Sequence, residues 1–234
     1  MNYKLAHNSH AGIKRSHNED TYGINHEQSA FLVADGMGGH DHGEIASALA
    51  RDYILDGLAA NKSVQQAIYD ANEAIIASSL EKESQLPMGT TVAIMQLMEH
   101  EFQCAWVGDS RIYRLRNNKL TAISSDHSYV QELVDQQLIT TEQARSHPHR
   151  NVVTQALGVT DNSELVIAAI SGDLQSGDKY LICSDGLTEE VDDVNIEKIL
   201  NKNLEAKEIC DQLIILALEN GGSDNITAIV VITE

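Results

Sequence analysis

Four aspartates stand at the ends of apolar runs, each beside residues that let the backbone turn sharply. Phe31-Leu32-Val33-Ala34 stops at Asp35-Gly36, Ala105-Trp106-Val107 at Gly108-Asp109-Ser110, and Tyr180-Leu181-Ile182-Cys183 at Ser184-Asp185-Gly186. The fourth copy is reversed: Gly221-Gly222-Ser223-Asp224-Asn225 opens the run Ile226–Ile232. Any one copy needs no function, because Asp and Gly are what turns are made of. Four copies invite a second reading, in which strand ends lying side by side crowd their carboxylates together. Crowded carboxylates are tolerated only if a cation lies among them. Ligands that are all oxygen suit Mg²⁺ or Mn²⁺ rather than zinc.

Arg15-Ser16-His17-Asn18-Glu19-Asp20 packs one cation and two acids into six residues. It is either a solvated turn or a source of a further metal carboxylate and an arginine fork for an anion. His40-Asp41-His42 has the spacing of a zinc HxH pair, but such sites need more histidines at set positions, and the other eight are scattered. His147 and His149 flank Pro148 in a polar stretch and fit solvated side chains. Ser110 and Ser184 fit turns, Trp106 and Tyr113 fit the core, and Glu189-Glu190 and Asp192-Asp193 fit a solvated face.

A formal charge of −19 over 234 residues argues against nucleic acid or an anionic membrane surface as partner. Cys104, Cys183 and Cys210 are far apart and embedded in apolar stretches, as expected of buried thiols in a reducing compartment. The N-terminus has no apolar signal region, and no apolar run approaches the ~20 residues of a membrane span. With two prolines and no break in composition, the expectation is one cytoplasmic domain over residues 1–234.

The elements that must carry these aspartates follow from periodicity. Residues 2–12 suggest an edge strand. Helical spacing follows Gly43, through Ile45, Leu49, Tyr53 or Ile54, and Leu58. Ser63 caps a second amphipathic helix running to Leu80. Strands are expected at 89–97, 101–107 and 111–115, with Asn117-Asn118 turning the chain towards Leu120. A polar, partly helical excursion at 124–150 has the character of a lid. Strands at 164–170 and 179–183, helices at 194–200 and 206–218, and a strand at 225–232 complete the chain. Helices and strands do not alternate regularly, which favours antiparallel sheets flanked by helices.

Taken together, RSHNED at 15–20, DGMGGHDHGEIAS at 35–47, GTT at 89–91, GDSRIY at 108–113, DHS at 126–128, VTQALG at 153–158, SDGL at 184–187 and GGSDNITAIVV at 221–231 resemble the bacterial metal-dependent Ser/Thr protein phosphatases. This is the type 2C, or PPM, family; the motifs arrive in its order and span nearly the whole chain. The resemblance implies an α+β fold, a four-layer αββα sandwich of two antiparallel sheets flanked by helices. It also implies two Mn²⁺ or Mg²⁺ ions, with Asp35 bridging them and the Gly36 carbonyl on one. Asp185 and Asp224 would hold the first ion, and Asp20, with Glu19 through water, the second. Asp109 with Asp185 would hold a weaker third.

Arg15 matches the phosphate-binding arginine, and Asn225 is a supporting candidate beside Asp224. The reaction implied is attack on phosphoserine or phosphothreonine by a metal-bridging hydroxide, with no covalent enzyme intermediate. Met37 stands where eukaryotic relatives place a histidine proposed as general acid, leaving a metal-bound water as the favoured proton donor and His40 as the nearest side-chain candidate by sequence. The implied partners are phosphorylated proteins and a Ser/Thr kinase, acted on by a monomer. The rival readings are a catalytically silent phosphoprotein- or kinase-binding relative and a phosphohydrolase of small metabolites.

Overall fold

Along the strand Ala30–Met37, Phe31 and Val33 face one way, Leu32 and Ala34 the other, and all four are fully buried. A strand covered on both faces needs a continuous apolar run rather than alternation, and that run is what stands out in the sequence. The computed structural model describes residues 2–38, 42–81 and 88–234. In chain order its elements are β1 (Tyr3–His10), β2 (Asp20–Asn25), β3 (Ala30–Met37), α1 (His42–Ala59), α2 (Val64–Glu81), β4 (Gly89–Thr90), β5 (Val92–Leu97), β6 (Glu101–Val107) and β7 (Arg111–Arg116). They continue with β8 (Lys119–Ala122), α3 (Tyr129–Asp135), α4 (Thr141–Arg145), β9 (Ala168–Asp173), β10 (Lys179–Cys183), α5 (Asp185–Glu190), α6 (Asp193–Leu200), α7 (Ala206–Asn220) and β11 (Ile226–Thr233).

The strands form two sheets, ordered β1-β11-β10-β7-β8 and β2-β3-β5-β6-β9, with β4 paired to β3. Every named strand pair is antiparallel. Three cores make four layers. Between the sheets, Phe31, Val33, Met95 and Trp106 meet Ile112, Tyr180, Ile182 and Ile229. Outside the second sheet, Leu32, Ile94 and Val107 pack under Ile54, Leu58, Ile68 and Ile75 of α1 and α2. Outside the first, Leu181, Val230 and Ala228 pack under Leu187, Ile196, Ile209 and Leu213 of α5, α6 and α7. This is the αββα sandwich expected.

Local chemistry explains several elements. Gln66 N donates to Ser63 Oγ at 3.2 Å, so Ser63 caps α2 as expected. Asn117 and Asn118 both take positive φ, 52° and 61°, the mirror-image turn that matches strand twist between β7 and β8. Thr140 and Gln143 form a reciprocal capping box at α4. On α1 the core position is Ile54, whereas Tyr53 is 46% exposed.

The structure departs from the periodicity in four places. β2 was not anticipated, because DTYGIN is short, polar and interrupted by Gly23; it exists as an edge strand paired to β3. The 89–97 run is split at Thr91, whose N–H bonds the Asp35 carbonyl at 2.8 Å. The 164–170 strand lies later, at Ala168–Asp173, paired to β6 through Ser171, Gly172 and Asp173. Asp185 does not end a strand but opens the short helix α5.

Candidate metal centre

Asp20 and Asp35 are direct cross-strand partners in the β2–β3 register. Like charges placed opposite one another on a sheet repel, so this pairing needs a compensating feature. The end of the other sheet supplies more charge rather than less. β10 runs through Ser184 into Asp185, and its neighbour β11 is entered through Asp224. Ser184 fastens the two sheets together here: its Oγ donates to Asp20 Oδ2 at 2.7 Å and accepts from Thr227 N at 3.0 Å. The sequence alone gave Ser184 only a turn.

Asp35 lies close to both Asp20 and Asp185. Its backbone is immobilised by the GTT segment, with Thr91 Oγ1 accepting from its N–H at 3.0 Å and Thr90 Oγ1 donating to its carbonyl at 2.9 Å. Burial, reinforced by repulsion from Asp20, Asp185 and Asp109, raises the Asp35 carboxyl well above the ordinary range. Burial pushes Asp20 up to about 6, with repulsion from Asp224 adding to it. Asp185 is pushed up to about 6 by burial, with Asp224 and Asp20 adding to it. Two unit charges 4 Å apart at an effective dielectric near 20 repel by about 4 kcal/mol, so the bare cluster holds its protons to higher pH than isolated carboxyls would.

Two buried atoms test whether a cation fits. Asp20 Oδ1 and Asp185 Oδ1, on either side of Asp35, have no hydrogen-bond partner. Buried carboxylate oxygens left unmatched are costly, and a divalent ion would satisfy both oxygens and the surrounding charge. Among the described residues, no three His, Cys, Asp or Glu side chains are already closed around one point as a finished cage. The fit therefore rests on the orphaned oxygens and the clustered charge.

Backbone proximity is what lets Glu19 and the start of α1 reach this cluster. A Cβ on Gly36 would lie 2.1 Å from the Gly43 carbonyl oxygen, and one on Gly43 would lie 2.7 Å from Glu19 Oε1. Ser47 Oγ donates to the Glu19 carbonyl at 2.6 Å, and Gly36 N donates to the same carbonyl at 3.2 Å. His40, the sequence candidate for proton donor, lies outside the described residues. Met37 is the last residue of β3, opposite Gly89.

Arg15 Nη2 lies 2.6 Å from Asp224 Oδ2, with the arginine side chain 54% exposed at the rim. Its loop is held by Asn225. Asn225 Oδ1 accepts from Glu19 N at 2.8 Å, while Nδ2 donates to Ala11 O and His17 O at 2.9 and 2.8 Å. Glu190 also corrects the reading of the acidic pairs as a solvated face. Its Oε1 accepts from the backbone N–H and hydroxyl of Ser223 and so ties α5 to the Asp224 loop. Asp192 caps α6 through Asn195 N at 2.8 Å, and Asp193 accepts from Tyr113 OH at 3.1 Å.

Asp109 stands apart from the Asp20–Asp35–Asp185 row but close to Asp185. Burial, then Asp185 and Asp126, raise its carboxyl well above the ordinary range, with Arg111 opposing them. It lines a cavity of about 150 Å³ together with Asp126, Asp185 and residues of the 124–150 excursion, including Val130, Val134 and Arg145. Arg145 Nη2 reaches the Thr188 carbonyl of α5 at 3.3 Å. The structure thus brings Asp20, Asp35, Asp185, Asp224, Asp109, Arg15 and Glu19 to one end of the sandwich.

Comparison with known proteins follows the same outline. The family model described as Protein phosphatase 2C matches residues 9–217. The serine/threonine phosphatase stp of Listeria monocytogenes is 35% identical over 233 residues, covering 94% of this chain and 92% of that protein. The crystal structure of the Mycobacterium tuberculosis serine/threonine phosphatase PstP/Ppp superposes with a TM-score of 0.89 at 35% identity, covering 99% of both chains. A structure of the PstP catalytic domain in complex with two manganese ions matches with a TM-score of 0.87 at 34% identity, over 99% of each chain.

Proposed function

The chain belongs to the protein phosphatase 2C family and is a serine/threonine protein phosphatase, and we propose that its reaction runs at the carboxylate cluster between the two sheets. The observation that carries this is the pair of orphaned buried oxygens, Asp20 Oδ1 and Asp185 Oδ1, flanking Asp35. In this reading Asp35 would be shared by two core ions and the Gly36 carbonyl would serve one of them, Asp185 and Asp224 would hold one core ion, and Asp20, with Glu19 through water, would hold the other. Asp109 and Asp185 serve a weaker third. Divalent ions bound there supply Lewis-acid activation of a water and neutralise charge on the phosphoryl oxygens.

The chain's own groups orient and exclude. Arg15, half exposed beside Asp224, offers a planar fork to non-bridging phosphate oxygens when it leaves that carboxylate. Asn225 holds the Arg15 loop at the rim. No thiol competes as nucleophile, since Cys104, Cys183 and Cys210 are buried and burial raises each of them further from ionisation. The 124–150 segment acts as a flap over the substrate side of a single catalytic domain.

The substrates are phosphoserine and phosphothreonine in proteins, and the enzyme opposes a Ser/Thr kinase. It works as a cytoplasmic monomer, with Mn²⁺ or Mg²⁺ as its ions. Among the described residues, no helix is long and apolar enough to cross a membrane. The deciding assay follows phosphate release from a phosphothreonine peptide with Mn²⁺ and with chelator. Release is expected only with the metal and faster than from sugar phosphates at equal concentration. Turnover that survives chelation would remove the metal reading.

A further inference from the structure

We propose that Arg111, clamped by Asp126, is a built-in counter-ion that sets how tightly the Asp109–Asp185 position takes up a divalent cation. The inference rests on the metal reading above and adds a residue pair to it. Arg111 Nε lies 2.8 and 3.1 Å from the two Asp126 carboxylate oxygens, and Nη2 lies 2.6 Å from Oδ2. Its remaining nitrogen, Nη1, donates to Tyr113 OH at 3.2 Å, and that hydroxyl donates on to Asp193. The fork therefore has a fixed orientation, imposed from β7 and α6 together.

The pair is not sealed within the fold. Arg111, Asp126, Asp109 and Asp185 all line the same cavity beneath the flap segment. Among these four residues three carboxylates face one guanidinium, so their excess charge is negative and favours a divalent cation. If Arg111 were absent, Asp126 would become a third uncompensated carboxylate facing that ion. If Asp126 lost its charge, Arg111 would turn its field wholly on Asp109 and compete with the cation.

Substitutions of the two residues should therefore act in opposite directions, which a purely structural ion pair would not do. The experiment is Mn²⁺ titration of the full chain by calorimetry, with metal-free melting temperature recorded for each variant. Wild type is expected to show two tighter ions and one weaker. Asp126→Asn should weaken the weakest ion by about tenfold and Arg111→Gln should tighten it by a similar factor, the size expected for one nearby charge in a polar cleft. The double variant removes the pair together and should return the weakest ion close to wild-type affinity. It also serves as the test should Arg111→Gln alone fail to fold.

The proposal is overturned if both single variants shift affinity the same way, if neither shifts it, or if the double variant binds as weakly as Asp126→Asn. A wild type that binds two ions and no third also overturns it, while leaving the metal centre standing. A wild type that binds no ion at all overturns the metal centre itself.

Discussion

Asp35 is surrounded by acids on both sides, and its neighbours cannot all be ionised without a cation among them. Asp185 shows the consequence most directly, since burial, with Asp224 and Asp20 adding to it, pushes its carboxyl up to about 6. A carboxyl whose folded value stands above its unfolded value of 3.8 holds extra protons in the folded state between roughly pH 4 and 6. Its contribution to stability therefore falls as pH rises through that window. Metal-free Asp185→Asn is expected to melt above metal-free wild type at pH 7 and to converge with it near pH 4, as scanning fluorimetry in chelator would show. The same variant should lose turnover by at least about a hundredfold, because an amide oxygen is a poor substitute for a carboxylate on a hard cation. A variant that kept its activity would exclude Asp185 from the centre.

Elements position these residues through a few polar ties across the end of the sandwich. Ser184 joins Asp20 on one sheet to β11 on the other, and Glu190 joins α5 to the Asp224 loop. Asn225 joins the 11–19 loop to the start of β11 by three hydrogen bonds and is itself only 5% exposed. Removing that amide strands one backbone N–H and two carbonyls, at about 1–3 kcal/mol for each buried group left unsatisfied. Asn225→Ala is expected to lose about 3 kcal/mol of unfolding free energy in denaturant titration. Because the freed loop carries Arg15, KM for phosphopeptide should rise more than kcat falls. A variant with unchanged KM would mean that the loop holds its position without Asn225.

At the scale of the whole molecule, a chain with a formal charge of −19 gathers a set of its acids at one end of two stacked sheets. Cations that bind this arrangement and not the unfolded chain stabilise it by mass action, by about 2.7 kcal/mol for an ion at a hundred times its dissociation constant. For a chain of this length that corresponds to about 5–10 °C in melting temperature. Saturating Mn²⁺ is expected to raise Tm by at least that much over chelated protein, and the gain should shrink below pH 6 as Asp20 and Asp185 take up protons. A Tm indifferent to Mn²⁺ at pH 7 would leave the orphaned oxygens without their partner.

The sequence by itself determined the central strands and the carboxylates at their ends. Strands covered on both faces must be continuously apolar, and turns at their ends must be built from Gly, Asp and Ser, so both features are written locally. It also determined the family, because motifs of fixed order carry that information without coordinates. Only the tertiary structure decided that β2 exists, since its edge position comes from pairing with β3 and not from its own polar residues. The same holds for Ser184, Asn225, Glu190 and the Arg111–Asp126 pair, whose partners lie from 15 to 214 residues away in the chain. A local pattern can specify what a residue is inclined to do. Which charge it faces is set by pairing between strands remote in sequence.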